Sequence, residues 1–270
     1  MAKKNTPAKS QQQTPTTDLA APAGANMALA KVGKDTFAVL TLDRRDLMAA
    51  MRENLGGGGL SVFDLDRIRM PAGGGLAWEL PSLSGPKGAS TFTGVIVAWQ
   101  DIRVYWKDEF SGGGTPPDCS SNDCQIGHPA DAEDAKEGGY GGSCEDCPKA
   151  QFGSSDKGGK SQACKQCRRL VIFRPEDRLP ILLTLPPTSL KPARQFFTRL
   201  LGGEGLSYYG ALVEFGLEGA KNPDGIKYSV VTMKMVTRLT PEQIQFFREI
   251  AAQLAPKLVQ IKASSEDMPA

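Results

Sequence analysis

TFTGVIVAWQDIRVYW, residues 91–106, alternates apolar and polar positions through Val95, Val97 and Trp99 and again through Ile102, Val104 and Trp106. That is the period of a β-strand. Successive side chains of a strand point to opposite faces, so Arg103, Tyr105 and Lys107 share the face opposite Ile102, Val104 and Trp106. One face is apolar; the other is basic and aromatic.

Working outward, residues 60–70 alternate more loosely and predict a second strand. Before it, Asp43 can cap a short helix in which Leu47, Met48, Met51 and Leu55 recur at helical spacing, ended by the Gly56–Gly59 run. Residues 1–33 are rich in Lys, Gln, Thr, Pro and Ala with no apolar period, and predict a disordered, mildly basic arm. On the C-terminal side, strand character resumes over 169–185 around a turn at Arg174-Pro175-Glu176-Asp177. Ser189 to Leu201 predicts a helix with Ser189 at the N-cap and Gly202-Gly203 as terminator. Residues 209–218 and 226–238 flank an Asp224-Gly225 turn and predict a hairpin. Thr240-Pro241-Glu242-Gln243 then opens a last helix with a capping box. No regular strand–helix–strand repeat is present. The predicted class is mainly β with α (α+β): an OB-type Greek-key barrel over residues 34–259, with a zinc-knuckle insertion at about 111–168, flanking helices and a flexible tail at 260–270.

The insertion holds all six cysteines: Cys119-x4-Cys124, Cys144-x2-Cys147 and Cys164-x2-Cys167. Thiolates at short spacing on glycine-rich turns suit tetrahedral zinc, whereas two cysteines three apart do not readily close an unstrained disulfide. The N-terminus continues polar through Gln11-Gln12-Gln13 with no apolar signal core, and no stretch has the length of a membrane span. The expectation is a cytoplasmic, reducing location, in which thiols stay reduced and available to a structural zinc. From spacing alone the natural quartet is Cys144 and Cys147 with Cys164 and Cys167. His128, the single histidine, is a weaker candidate, and its plain alternative is a solvated loop residue.

The net charge of +2 conceals a strong asymmetry. Residues 108–147 are acidic, opposed only by Lys136, while 149–174 carry Lys149, Lys157, Lys160, Lys165, Arg168, Arg169 and Arg174 against Asp156. Catalytic patterns fail. Gly159-Lys160-Ser161 resembles the end of a phosphate-binding loop, but the required glycine at 154 is Ser154 and no strand runs into a helix there. Asp64 and Asp66 share a strand face without a third acid at matching spacing, and no Ser-His-Asp or Cys-His set is suggested. The reading is non-enzymatic.

Pro116-Pro117-Asp118-Cys119-Ser120-Ser121, Cys144-Glu145-Asp146-Cys147-Pro148 with Phe152-Gly153-Ser154, Cys164-Lys165 with Arg168-Arg169-Leu170, and Leu185-Pro186-Pro187-Thr188-Ser189-Leu190-Lys191 together resemble a family of bacteriophage single-stranded DNA-binding proteins with an OB fold and a zinc insertion. The resemblance spans about 106–247. It implies Cys119, Cys144, Cys147 and Cys164 as the zinc ligands, with Cys167 as the substitute fourth, and places the chain in phage DNA replication or recombination in the bacterial cytoplasm, with phage or host replication proteins as further partners. Binding single strands without reading sequence requires cations along the phosphates and aromatic faces under the bases. The residues that can supply them are Arg103, Tyr105 and Lys107 on the strand, Phe152, Lys160, Lys165, Arg168 and Arg169 beside the cysteines, and Lys227, Tyr228 and Lys234 on the hairpin. Against each stands a plainer role: half-buried sheet tyrosines, solvated lysines. The alternative function is a zinc-ribbon adaptor that binds a polymerase or another protein rather than DNA.

Overall fold

The 91–106 run becomes one fourteen-residue strand around which the sheet is assembled, in a computed structural model that describes residues 37–41, 43–56, 64–108, 115–155, 160–223, 225–261, 263–264 and 267. The predicted arm at 1–33 lies outside the described residues. In chain order the elements are α1 (Arg44–Leu55), β1 (Arg67–Ile68), β2 (Trp78–Leu80), β3 (Lys87–Ala89), β4 (Phe92–Tyr105), β5 (Cys119–Ser121), β6 (Ile126–Pro129), α2 (Ala132–Gly138), β7 (Gly142–Ser143), β8 (Lys165–Phe173), β9 (Ile181–Leu185), α3 (Pro187–Glu204), β10 (Ala211–Lys221), β11 (Lys227–Arg238) and α4 (Pro241–Leu258). Of the strand predicted at 60–70 only β1 and a bridge from Arg69 to Glu79 are found among the described residues.

β4 has three partners. β8 runs antiparallel beside it from Val95–Phe173 to Val104–Lys165. Its first residues, 92–94, pair with β10, and its last, 103–105, pair with β5. β9 continues the sheet beyond β8 and β1 joins β9 in parallel, while β10 and β11 form the predicted hairpin and β5, β6 and β7 lead into the insertion. The predicted mixed α+β class with a mostly antiparallel sheet is what forms, but the closed Greek-key barrel is not: β1, β7 and β11 each have one strand partner, so the sheet is open among the described residues.

The reason is visible in β8 and β9, whose residues from Cys167 to Phe173 and from Ile181 to Leu185 are all buried. A strand buried on both faces belongs between two layers rather than in the wall of a small solvated barrel. Leu170, Ile172, Ile181, Leu183 and Leu185 pack with Ala193 and Leu200 of α3, whereas Val171, Phe173 and Leu182, on the other face, pack with Phe247 and Leu258 of α4 and with Phe37. Helices therefore cover both sides.

Local signals set the helix ends. Asp43 caps α1 by accepting from the Arg45 amide, and Thr240 and Gln243 form the predicted capping box of α4. Ser189 is not the cap of α3. Pro186 takes that place, and Ser189 is buried with its Oγ accepting from the Val231 amide at 3.0 Å, tying α3 to β11. The helix passes Gly202 and Gly203 and stops at Gly205, whose φ of +65° provides a left-handed cap. Of the predicted tail, Ile261 and Asp267 are among the described residues and both are fully buried. Asp267 accepts from Arg67 Nη1 and Arg169 Nε at 2.9 Å, from Thr184 Oγ1 at 3.2 Å, and from Arg169 Nη2. Among the described residues, no helix is long and apolar enough to cross a membrane.

Candidate metal centre and nucleic-acid interface

The insertion folds its chain back twice, and each return brings a cysteine to one point. Cys119 opens β5 opposite Tyr105 of β4; Cys144 follows β7 and donates its amide to Gln125 O at 2.7 Å. Cys147 precedes a one-turn helix at Pro148–Ala150, and Cys164, just before β8, donates its amide to Lys149 O at 2.7 Å. Packing here is close: a Cβ on Gly127 would stand 3.1 Å from Cys119 Sγ and 3.5 Å from Gly142 O. Cys119, Cys144, Cys147 and Cys164 line one small cavity together with Arg103, Tyr105 and Tyr140. The room at its centre, about 10 Å3, is that of a single water-sized sphere.

These four are the staggered set, not the two symmetric pairs. Cys167 is fully buried in β8 and packs with Ile102, Val104 and Ala263 away from the cavity. Cys124, in a left-handed conformation at φ +61°, and the exposed His128 do not line it. The four sulfurs share a cavity without a finished coordination shell: among the described residues no three His, Cys, Asp or Glu side chains stand in ligating geometry.

Burial, with the neighbouring thiols adding to it, pushes the Cys119 thiol up to about 12, and burial pushes Cys164 up to about 11 against the opposing pull of Arg103. Cys144 is also raised by burial. Such thiols ionise only beside added positive charge, which is what a soft divalent cation supplies. The guanidinium of Arg103 fits that chemistry. Its Nε and Nη1 are buried with no hydrogen-bond partner, donors suited to a thiolate cluster.

The predicted nucleic-acid residues are dispersed. Arg103 and Tyr105 face the thiol cavity, and Tyr105 is buried against Tyr140 with ring centroids 5.1 Å apart, so it offers no open stacking face. Lys107 is paired with Asp134, and Lys165 Nζ donates to Gln162 O at 2.5 Å. Arg168 and Arg169 correct the prediction most plainly. Arg168 is 4% exposed and held by both oxygens of Asp101 at 2.6 and 2.8 Å; Arg169 is 0% exposed and bound to Asp267 and to Ile261 O. Both cations are consumed inside the protein. Phe152 (80% exposed) and Lys160 remain open on the insertion, and Lys227 and Lys234 on the hairpin, where Tyr228 is half-buried.

A more concentrated surface lies where the sequence reading did not place it. A bulge between Ile96 and Ala98 shifts the alternation of β4 and leaves Trp99 40% exposed on the α3 side. The indole lies over the Arg168 guanidinium, 4.2 Å from ring centroid to carbon, with Phe197 of α3 at 6.4 Å. Beside it, α3 presents Lys191, Arg194 and Arg199 along an open groove with Leu190, Gln195 and Thr198. None of these three cations has an ion-pair partner among the described residues. The available signal was the helical recurrence of Lys191, Arg194, Gln195 and Thr198 opposite Phe196 and Leu200. Trp99, Asp101, Arg103 and Tyr105 follow one another along the same face of β4, so the aromatic platform stands about 13 Å along the strand from Arg103 and about 20 Å from Tyr105, the two residues of β4 that line the thiol cavity. Comparison with known proteins adds no relative: no family model, no curated protein and no solved structure matches the chain.

Proposed function

We propose that this chain is a non-enzymatic single-stranded DNA-binding protein of phage replication or recombination, acting in the cytoplasm of a bacterial host, with a structural zinc ion held by Cys119, Cys144, Cys147 and Cys164. The observation that carries the reading is the juxtaposition on α3 and β4 of three unpaired cations with an exposed tryptophan. A backbone-tracking groove beside a rigid stacking face is the combination that binding single strands without sequence readout requires. Arg168 serves as the support under Trp99 rather than as a phosphate contact. The OB-type relationship belongs to the same proposal: such barrels are partly open, and β4 likewise serves more than one set of partners.

Zinc would contribute order. Cys119 pairs across to β4 and Cys164 abuts β8, so a shared ion ties a glycine-rich insertion to the central strands. The test is a fluorescence titration with oligo-dT and with duplex DNA on wild type and Trp99→Ala. Stacking of one base is worth about 1–3 kcal/mol, so losing it weakens oligo-dT binding roughly 5- to 150-fold. Binding to a replication protein by a chain that ignores oligo-dT at low salt would favour the adaptor function instead.

A further inference from the structure

Arg103 sits mid-sheet, between Ser121 of β5 and Gln166 of β8. Its Nη2 donates a long 3.4 Å bond to Gln166 Oε1, while Nε and Nη1 are buried without a partner. The acids around it are committed elsewhere. Asp101 holds Arg168 through both oxygens, and Asp123 accepts from Ser121 Oγ and from the Gln125 and Ile126 amides. A buried guanidinium with no counter-anion and with two of its nitrogens lacking an acceptor is unfavourable.

What faces it is sulfur. Arg103 lines the cavity of Cys119, Cys144, Cys147 and Cys164, with Tyr105 and Tyr140 on its other walls. Two complementary groups meet in one place: four convergent sulfur ligands, and a buried cation two of whose donors lack an acceptor. A divalent soft ion bound by four thiolates answers both, because the cluster it forms is a net dianion whose sulfurs accept hydrogen bonds.

We propose that Arg103 is a positioning residue of a tetrathiolate zinc site, donating Nε–H and Nη1–H to ligand sulfurs, that of Cys164 among them, and halving the negative charge of the cluster. This rests on the zinc reading above. It also removes Arg103 from the DNA-binding set, since a guanidinium engaged with the cluster is not free to meet a phosphate.

Zinc content is measured on the wild-type chain, and zinc affinity by competition with a chromophoric chelator for wild type, Arg103→Gln and Arg103→Lys. Cobalt(II) in place of zinc gives a second readout, the sulfur-to-cobalt charge-transfer band. Arg103→Gln weakens zinc binding about 10- to 100-fold, the loss that follows removal of an outer partner of a metal ligand. It also moves the cobalt band to lower energy, because a thiolate that loses an N–H donor holds its electrons less tightly. Arg103→Lys keeps the charge without two aligned donors and falls between the two. Should the glutamine chain fail to fold, the lysine chain decides: wild-type affinity and an unshifted band in it overturn the proposal. A wild-type chain that takes up neither zinc nor cobalt overturns the zinc reading itself. Metal binding that Arg103→Gln leaves unchanged in both affinity and band overturns the role of Arg103 alone.

Discussion

Replacing Asp267 by Ala tests whether its buried pairing with Arg169 holds the fold together. The carboxylate is fully buried and receives Arg169, Arg67 and Thr184, so its removal strips the buried Arg169 of its counter-charge while Ile261 O still accepts from it at 2.8 Å. Breaking a buried pair from one side costs about 3–5 kcal/mol, which for a domain of this size lowers Tm by roughly 6–20 °C. Urea unfolding followed by circular dichroism measures it. Exchanging both partners, as Asp267→Leu with Arg169→Met, recovers part of the loss, because the fully buried charge is then removed and only the partly exposed Arg67 loses its carboxylate. The pH dependence has a defined sign. Burial alone would raise the Asp267 carboxyl, but the Arg169 hydrogen bond and charge, with Arg67 behind it, hold it below its ordinary 3.8. A depressed carboxyl stabilises the fold above its unfolded pKa and loses that contribution as pH falls toward the folded value. The gap between wild type and Asp267→Ala is therefore constant from pH 7 to 5 and narrows as the pH falls below the ordinary carboxyl value of 3.8. A gap below about 1 kcal/mol at neutral pH would refute the buried pairing of Asp267, as would one equally wide at pH 3 and pH 7.

Other outcomes follow from the same contacts. Ser189→Ala strands the buried Val231 amide and costs about 1–3 kcal/mol in urea unfolding. Gly94→Ala places a Cβ 2.3 Å from Ile172 Cγ2 and 3.0 Å from the Phe173 carbonyl; the overpacking costs about 1–3 kcal/mol, read as a lower unfolding midpoint. Cys147→Ser abolishes metal uptake measured by elemental analysis, whereas Cys167→Ser leaves the stoichiometry unchanged and lowers stability only, because Cys167 packs with Ile102 and Val104 outside the thiol cavity.

Elements whose determinants are local were legible in the sequence: the alternation of β4, the turn at 222–225 that joins β10 to β11, and the Thr240–Gln243 capping box. Cys119, Cys144, Cys147 and Cys164 line one cavity, and Cys167, to which spacing alone pointed, packs outside it. Long-range pairing was not legible. Arg168 and Arg169 read as an exposed basic block because Asp101 and Asp267, which absorb them, lie 67 and 98 residues away in sequence. Trp99 read as one more apolar strand position in register with Val95 and Val97, and the bulge that turns it outward carries no signal in the residue types themselves. The open sheet was hidden for a related reason. The all-apolar runs of β8 and β9 fit a buried barrel stave as well as a strand sandwiched between α3 and α4, and the choice depends on where the helices dock.

The central claim is that α3 and Trp99 hold single-stranded DNA, and the salt dependence of oligo-dT binding tests it most directly. If Lys191, Arg194 and Arg199 each neutralise one phosphate, log affinity falls against log salt with a slope of about −2, so raising salt fourfold weakens binding roughly 20-fold. Exchanging all three for Gln flattens that slope, while exchanging Lys227 and Lys234 leaves it in place. No saturable binding of oligo-dT at low salt, or an unchanged slope in the triple α3 variant, would contradict it.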